Sequence, residues 1–348
     1  MSQLRVCIYG GTDLQGTPTQ FIADIAHAIL TSMPAVIVTG GFRHSRRNPD
    51  AISTDVAALK GARAYAADKG TDDVRKYFEA WIPEPVLDGR RAEEDVVRMT
   101  ESDGVALRVM TGRTALGRRL AMVAGVDMVV TISGKQHTEV VVEQALELGR
   151  PVLPIPVAGG DSRDLLEKYR KRIAAAFEPN VFERCLRDVS ANYERQPMAA
   201  AKSVVELLQT AKVGRCLVLL PFDDEHNDLY RTEIEPAIVR HMIPLRLDRL
   251  PRSDAIYTSF ADAVRSSTSV IADITRINEN VMYEIGYAHG CGLSPLIYTR
   301  DPTRLDRLPV YFRTLNVRLA PTQVGVGNFV DEYLRSYKAS RAGHRVPA

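Results

Sequence analysis

The chain has 348 residues, which is more than one domain usually holds, so two domains are expected. A hydrophobic fraction of 45% and a charged fraction of 25% are typical of globular proteins and exclude a fibrous or disordered class. The formal net charge of +2 gives no general attraction to nucleic acid or to an anionic membrane, so neither is an expected partner.

No run approaches the roughly 20 apolar residues that a membrane-spanning helix needs, and no signal segment opens the chain. Four cysteines are far apart and lack the spacing of metal ligands, so no metal site is predicted. They are Cys7, Cys185, Cys216 and Cys291. Reduced cysteines of this kind favour a cytoplasmic location.

The first 162 residues alternate strand-like apolar runs with helical segments. Strands predicted at residues 4–9, 35–39 and 126–132 run into Gly10-Gly11, Gly40-Gly41 and Ser133-Gly134 respectively. A further strand is predicted at 151–155. Alternation of this kind favours a parallel sheet, whose carboxyl edge would carry these glycine turns. The turns then form a backbone-lined ligand site, or they only satisfy positive φ angles.

Residues 163–212 are predicted to be a helical connector that packs on the first sheet, with a break between Asn192 and Pro197. A second, smaller parallel α/β domain is expected at 213–336. Its predicted strands lie at 216–220, 243–247, 269–273 and 295–298. Residues 337–348 are polar and basic and are predicted to form a flexible tail.

The segment from Asp273 to His289 carries the most specific chemical signal. Asp273 ends a predicted strand, Asn278 or Asn280 caps the next helix, and Glu284 is expected in about the first turn. A partly desolvated glutamate there could act as a nucleophile, or as an electrostatic partner for a sugar carbon that loses its base. Alternatively, Glu284 only stabilises the helix N-terminus, a contribution of about 0.3–1 kcal/mol.

Residues 216–300 resemble the nucleoside 2-deoxyribosyltransferase-like and TIR-like group, above all through the run from Asn278 to Ala288. The resemblance implies a flavodoxin-like domain in which Glu284 attacks or stabilises the anomeric carbon of a nucleoside or of NAD, with Asp273 as its catalytic neighbour. The resemblance also implies that this domain requires no cofactor and that NAD is its substrate. The implied substrate-binding residues are Phe222, Asp223, Asn280, Tyr283 and Ala288.

The first 160 residues resemble the SLOG (LSDAT-like) superfamily, in its prokaryotic branch related to the N-terminal region of melastatin-type TRP channels. This implies a Rossmann-like, nucleotide-binding domain. The implied ligand-binding residues belong to the motifs that come after the strands, together with one arginine. They are Gly10, Gly11, Thr12, Gly40, Gly41, Phe42, Ser133, Gly134, Thr138, Glu139 and Arg113. Arg118 could likewise bind phosphate, or both arginines could lie on a surface helix.

The enzyme branch of that superfamily has a PGGxGTxxE pattern, and Val141 stands here at the position of its catalytic glutamate. The departure favours ligand sensing over hydrolysis in the first domain, although Glu139 or Glu143 could substitute. The combined hypothesis is a homo-oligomeric sensor and effector. An ADP-ribose-like or cyclic nucleotide would control a TIR-like NAD hydrolase that releases nicotinamide, as in bacterial antiphage defence effectors.

Two alternatives remain open at this stage. The second domain could instead be a nucleoside or nucleotide deoxyribosyltransferase or N-glycosidase, since the same glutamate would serve that chemistry. Alternatively, both domains could bind nucleotides without turnover.

Overall fold

The computed structural model describes residues 3–84, 96–249, 256–276, 278–306, 308, 312, 315 and 317–341. Two compact units make up the chain, the first running up to Ala211 and the second spanning Lys212–Ser340. Each unit contains its own parallel sheet flanked by helices, which confirms the predicted α/β class. Among the described residues, no helix has the length and apolar character that crossing a membrane requires.

The first unit contains a six-stranded sheet with the order β6-β4-β2-β1-β7-β8, in which all neighbouring strands are parallel. Two further strands, β3 and β5, pair with each other in antiparallel fashion. In chain order, the strands are β1 Leu4–Gly10, β2 Ala35–Thr39, β3 Phe42–Ser45, β4 Phe78–Pro83, β5 Val96–Arg98, β6 Ala106–Met110, β7 Met128–Ile132 and β8 Val152–Ile155. The order reverses between β1 and β7, and ligands of open α/β sheets bind at the carboxyl ends beside such a reversal.

Seven helices of the first unit surround this sheet in the described part of the chain. They are α1 Thr17–Ser32, α2 Thr54–Asp68, α3 Ala115–Ala124, α4 Thr138–Glu147, α5 Asp161–Ala174, α6 Pro179–Asn192 and α7 Pro197–Gln209. The predicted break lies between α6 and α7, where Pro197 opens the new helix. Helix α7 packs on α1, so the predicted connector is part of the first unit's own structure.

The second unit contains a five-stranded sheet with the order β10-β9-β11-β12-β13 and only parallel neighbours. Its strands are β9 Arg215–Leu219, β10 Ile243–Arg246, β11 Ser269–Asp273, β12 Leu296–Thr299 and β13 Val317–Leu319. Counted within the unit, the order is 2-1-3-4-5, which is that of flavodoxin-like folds. The flavodoxin-like prediction for this domain is therefore confirmed.

The helices of the second unit are α8 Asp224–Leu229, α9 Glu235–Val239, α10 Ile256–Ser266, α11 Glu279–Gly290, α12 Thr303–Asp306 and α13 Gln323–Arg341. A π-helical turn at Tyr230–Ile234 joins α8 to α9. Pro236 has no N–H to donate, which disrupts the ordinary i to i−4 pattern at this point. The flexible tail predicted from residue 337 is wrong as far as Arg341, because α13 continues to that residue; residues 342–348 lie outside the described part of the chain.

Alternate side chains of the strands build two apolar layers, one on each face of the second sheet. One layer contains Val218, Ile271 and Tyr298 together with residues of α9 and α13. The other contains Leu217, Ala272 and Val270 together with residues of α10 and α11. The helices that follow β9 and β11 therefore lie on opposite faces, and the loops that lead to them separate at the carboxyl edge.

Candidate functional site

Glu284 lies in the second turn of α11. Asn278 caps this helix, and its Oδ1 accepts hydrogen bonds from the backbone N–H groups of Asn280 at 2.9 Å and Val281 at 3.3 Å. Glu284 is the sixth residue after this cap, so the prediction that it lies in about the first turn is wrong by roughly one turn. Because the effect of the helix dipole is confined to the first turn, a purely dipolar role for Glu284 loses its support.

The environment of Glu284 is apolar and only partly open to solvent. The residue flanks the stripe of Val281, Ile285 and Ala288 that packs on the sheet. Within the described residues its carboxyl group makes no hydrogen bond or ion pair. Burial alone raises the pKa of Glu284 from its ordinary value of 4.5 to about 7. Near neutral pH, this group therefore exchanges readily between its acid and its carboxylate form.

Asp273 and Glu284 lie on opposite faces of the second sheet. Asp273 ends β11 and follows the alternation of Ile271, so it points towards the layer that contains Tyr298. Helix α11 packs on the other layer. The prediction that these two carboxylates are neighbours is therefore wrong, because the loop after β11 carries the chain across to the opposite face.

Asp273 instead belongs to a polar cluster with the buried His226 and the partly exposed Asp223. The ring of His226 is fully buried, with its Nδ1 atom 2.7 Å from Asp223 Oδ1 and its Nε2 atom 3.7 Å from Asp273 Oδ2. Oδ1 of Asp273 accepts a hydrogen bond from the Thr275 N–H at 2.7 Å. These contacts connect the end of β11 with the start of α8, which follows β9. The order of the sheet reverses between β9 and β11.

Arg300 and Tyr298 complete this cluster from β12 and the residue that follows it. Arg300 Nε lies 3.9 Å from Asp273 Oδ2, while its Nη1 lies 2.8 Å from Glu225 Oε1. Burial, and then the nearby charge of Asp273, raise the pKa of Tyr298 well above its ordinary value. Arg276 also contacts Glu225, with Nη2 at 2.8 Å from Oε2. Carboxylates and guanidinium groups thus alternate along this rim.

Sequence reasoning missed His226 and Arg300 as members of the site. Two signals could have found them. His226 follows the helix cap Asp223 by three residues, a spacing that brings both side chains together. Arg300 lies two residues after a predicted strand, at the carboxyl edge where ligand-binding side chains collect.

The predicted substrate-binding residues of the second unit have different environments. Phe222 is 62% exposed and lies 5.6 Å from the guanidinium of Arg246, and Tyr283 is 56% exposed on α11. Asn280 is also exposed. Ala288, in contrast, is fully buried in the layer beneath α11, so the structure gives it a packing role instead of the predicted role in substrate binding.

In the first unit, Gly10 is required by close packing between strand ends, and Gly11 lies beside the side chains of Leu14 and Ser133. A Cβ atom at Gly10 would come within 1.9 Å of the Ile132 carbonyl oxygen. The Gly11 N–H donates to that same oxygen at 3.2 Å, so it is not available for phosphate as predicted. Thr12 follows as an exposed residue.

The turn after β2 is occupied by internal hydrogen bonds. The Gly41 N–H donates to Thr39 Oγ1 at 3.3 Å, and Gly41 adopts a φ of 66°. The Phe42 N–H donates to Asp55 Oδ2 at 2.7 Å. Asp55 is buried at the start of α2, and desolvation raises its pKa to about 6. Gly40 lies against the guanidinium of Arg118, which would be 2.8 Å from a Cβ at this position.

The loop after β7 has the geometry of an anion site. Ser133, Gly134 and Gln136 all have positive φ angles, of 58°, 94° and 65°. Among the described residues, the N–H groups of Gly134, Lys135 and Gln136 have no hydrogen-bond acceptor. The loop leads directly into α4, whose N-cap residue makes no side-chain cap. Successive free N–H groups before a helix N-terminus favour phosphate or carboxylate oxygens.

The remaining predicted nucleotide residues have different environments and do not form a catalytic group. Thr138 is buried at the start of α4, and Arg113 is exposed. Glu139 pairs with Lys168, whose Nζ lies 2.8 Å from Oε1. Hydrogen bonds, first from Tyr169 and also from Lys168, lower the pKa of Glu143. Val141 is fully buried, so no carboxylate lies at the position of the enzyme branch's glutamate. The described residues contain no cluster of metal ligands.

Comparisons with known proteins add only distant similarities. No protein-family model and no curated protein matches the sequence. The chain is similar to the solved structure of the structural-genomics target TM1055, with 17% identity over 48% of this chain and 81% of that chain, at a TM-score of 0.33. It is also similar to DNA processing protein A from Helicobacter pylori, a structure described for its binding of single-stranded DNA. There the identity is 16% over 53% of this chain and 80% of that chain, at a TM-score of 0.34. Similarities of this size assign no function.

Proposed function

We propose that the second unit cleaves the N-glycosidic bond of NAD and releases nicotinamide, and that the first unit binds a small nucleotide that controls this activity. The observation that carries the proposal is the half-buried carboxyl group of Glu284, which has no compensating partner in the described structure. Proteins seldom bury a titratable group in this way without a function for it, since its ionised form loses hydration.

The chemistry follows from the position of that group beside the carboxyl edge. When the bond from the ribose carbon to nicotinamide breaks, positive charge develops on the carbon and the base leaves as a neutral molecule. An ionised Glu284 would stabilise this charge or form a bond to the carbon. Water then adds at the carbon and loses a proton, so that NAD and water yield nicotinamide, ADP-ribose and H⁺.

Asp273 has a positioning role in this proposal. It lies across the sheet from Glu284 and contacts His226, Thr275 and Arg300. These contacts hold together the loops that follow β9, β11 and β12. The exposed ring of Tyr283, on the same helix as Glu284, offers an aromatic surface on which a base can stack.

The proposal for the first unit rests on the loop from Ser133 to Gln136. Its free N–H groups and the N-terminus of α4 suit a phosphate, while Val141 replaces the enzyme branch's glutamate and Glu139 is paired with Lys168. Binding without turnover is therefore the proposed role of this unit. Regulation requires the nucleotide to bind one functional state of the protein more tightly than the other.

The test is release of nicotinamide from NAD by the purified full chain, with and without ADP-ribose or cyclic ADP-ribose. Glu284→Gln should lower the rate at least about 100-fold, because the amide cannot carry the negative charge. Glu279→Gln is the matched control, since Glu279 is exposed on the first turn of the same helix. Absence of nicotinamide under every condition, or an undiminished rate in Glu284→Gln, would refute the proposal.

A second candidate activity is exchange or hydrolysis of the base of a deoxynucleoside. The same uncompensated carboxyl favours it, because covalent attack on the sugar carbon is the first step of base exchange. Incubation with thymidine and adenine separates the two activities: appearance of deoxyadenosine assigns the transferase reaction. Thermal stabilisation by nucleotides that all remain intact would instead support a binding module.

A further inference from the structure

A polar cavity of about 580 Å³ lies in the second unit, between α8 and the end of β10. Cavities that bind small molecules commonly measure about 300–1,000 Å³, so this one is large enough for a ligand. Its lining combines three carboxylates, two guanidinium groups and one amide. These groups belong to Asp224, Asn227, Asp228, Arg231, Arg246 and Asp248.

The cavity lies on the face of the second sheet opposite to Glu284. Arg246 is paired in register with Val218, and the side chains of paired residues point to the same face. Val218 belongs to the apolar layer that contains Tyr298, whereas α11 packs on the other layer. The cavity is therefore separate from the candidate catalytic carboxyl group and is a candidate for a second ligand.

Arg246 is the buried member of the cavity lining. Only 2% of its side chain is exposed, and Nη2 donates to Asn227 Oδ1 at 2.6 Å. Nε lies 3.2 Å from Asp248 Oδ1, yet no acceptor among the described residues meets it in hydrogen-bond geometry. Because arginine carries five N–H donors, this buried side chain retains donors for a ligand oxygen.

The carboxylates of the lining retain acceptors. Within the described part of the chain, the side chain of Asp224 makes no hydrogen bond or ion pair. Asp228 has one long contact, in which Oδ1 lies 3.4 Å from Arg231 Nη2. An ionised carboxylate offers about four acceptor positions, so most of them are available here. Donors and acceptors therefore face the same cavity.

The charges of the lining favour a neutral ligand. A phosphate would be repelled, since three carboxylates outnumber two guanidinium groups, and an amine would be repelled by the buried Arg246. A hydroxyl group suits both kinds of side chain, because it donates one hydrogen bond and accepts others. The ring of Phe222, 62% exposed and 5.6 Å from the Arg246 guanidinium, adds an apolar surface beside these polar groups.

We propose that this cavity binds the vicinal hydroxyl groups of a neutral sugar, carried either by a nucleoside or by a free saccharide. The hydroxyl groups would donate to Asp224 and Asp248 and accept from Arg246, and hydrogen bonds to charged groups of this kind are strong. Phe222 would pack against the apolar face of the sugar or of an attached base. The site does not depend on the reaction proposed for Glu284.

The experiment measures binding of adenosine, dideoxyadenosine and methyl riboside to the full chain by calorimetry, together with thermal unfolding. Adenosine should bind wild type, and dideoxyadenosine should bind at least about tenfold more weakly, because it lacks both sugar hydroxyl groups of the diol. Asp224→Asn should weaken adenosine about fivefold, since the amide oxygen carries no charge, and should leave the ligand-free Tm unchanged. Asp262→Asn is the matched control, because Asp262 is exposed on α10 and does not line the cavity.

The outcomes identify the source of the sugar and test the site itself. Methyl riboside that binds as tightly as adenosine supports a free saccharide, and tighter binding of adenosine supports a nucleoside. Equal affinities for adenosine and dideoxyadenosine, equal affinities of wild type and Asp224→Asn, a lowered Tm of Asp224→Asn, or no binding to wild type overturn the proposal. Nicotinamide release from NAD is measured in parallel, and its absence refutes the reaction at Glu284 but leaves the sugar site intact.

Discussion

At the scale of single residues, two ionisable side chains lack part of the hydrogen bonding that ordinarily accompanies burial. Glu284, which is half-buried, and Arg246, which is buried, make few polar contacts in the described structure. Local inconsistencies of this kind tend to mark functional sites, because selection retains them only when a ligand uses them. Neither environment follows from sequence. Helical spacing shows that Glu284 lies near a core stripe, but how far the neighbouring side chains exclude water depends on distant segments.

Glu284→Gln should make the protein more stable, and the gain should depend on pH. Because the folded-state pKa of about 7 lies above the ordinary value, the native state holds the extra proton between about pH 4.5 and 7. Stability therefore falls as pH rises through this window and is level above it. We expect a gain of about 1–2 kcal/mol for Glu284→Gln at pH 8, after allowance for partial exposure, and none near pH 4.

Urea denaturation at several pH values measures this effect. Glu279→Gln, at an exposed position of the same helix, should show no such dependence on pH. A constant difference between wild type and Glu284→Gln from pH 4 to pH 8 would contradict the raised pKa.

At the scale of elements, the cap of α11 determines where Glu284 lies. The sequence offers two candidate caps, Asn278 and Asn280, and the structure uses Asn278 through two N–H donors. A cap at Asn278 moves Glu284 into the second turn. The strands β1, β2 and β7 to β12 were predictable because apolar runs of this kind are typical of buried parallel sheets, whereas β3 to β6 and β13 were not predicted. The contact of His226 with Asp273 was not predictable, since 47 residues and a reversal of strand order separate them.

Asn278→Ala should destabilise the second unit by about 1 kcal/mol, because the first N–H groups of α11 lose their acceptor. Asn278→Asp should retain most of the stability, since a carboxylate accepts the same hydrogen bonds. Urea denaturation followed by circular dichroism measures both. Asn280→Ala is the matched control, as its side chain does not cap the helix. Equal losses in Asn278→Ala and Asn280→Ala would argue against the capping geometry.

At the scale of the whole molecule, two separate sheets with separate cores form the chain. The sequence predicted two α/β domains from the repeated alternation of strands and helices. It placed residues 163–212 in a connector that packs on the first sheet, and the described helices α5, α6 and α7 are part of the first unit. Amphipathic spacing shows that a helix has an apolar face but does not identify the surface that covers it. The contact between α7 and α1 could therefore be identified only from the structure.

A fragment of residues 212–341 should fold without the rest of the chain. Both faces of its sheet carry an apolar layer drawn only from residues of this unit. A domain of this size with its own core ordinarily unfolds in one cooperative step. Thermal denaturation followed by circular dichroism checks this. A gradual, non-cooperative loss of signal would show that the unit depends on residues 1–211.

The contact between Gly10 and the Ile132 carbonyl also bears on motif searches. At this strand end the backbones approach so closely that no side chain fits, whatever the unit binds. A glycine pair after a first strand would be scored as a dinucleotide signature, yet here steric exclusion by the Ile132 carbonyl demands the first glycine of the pair. Transplanting the pair into an engineered sheet would therefore reproduce the tight turn but transfer no affinity for phosphate.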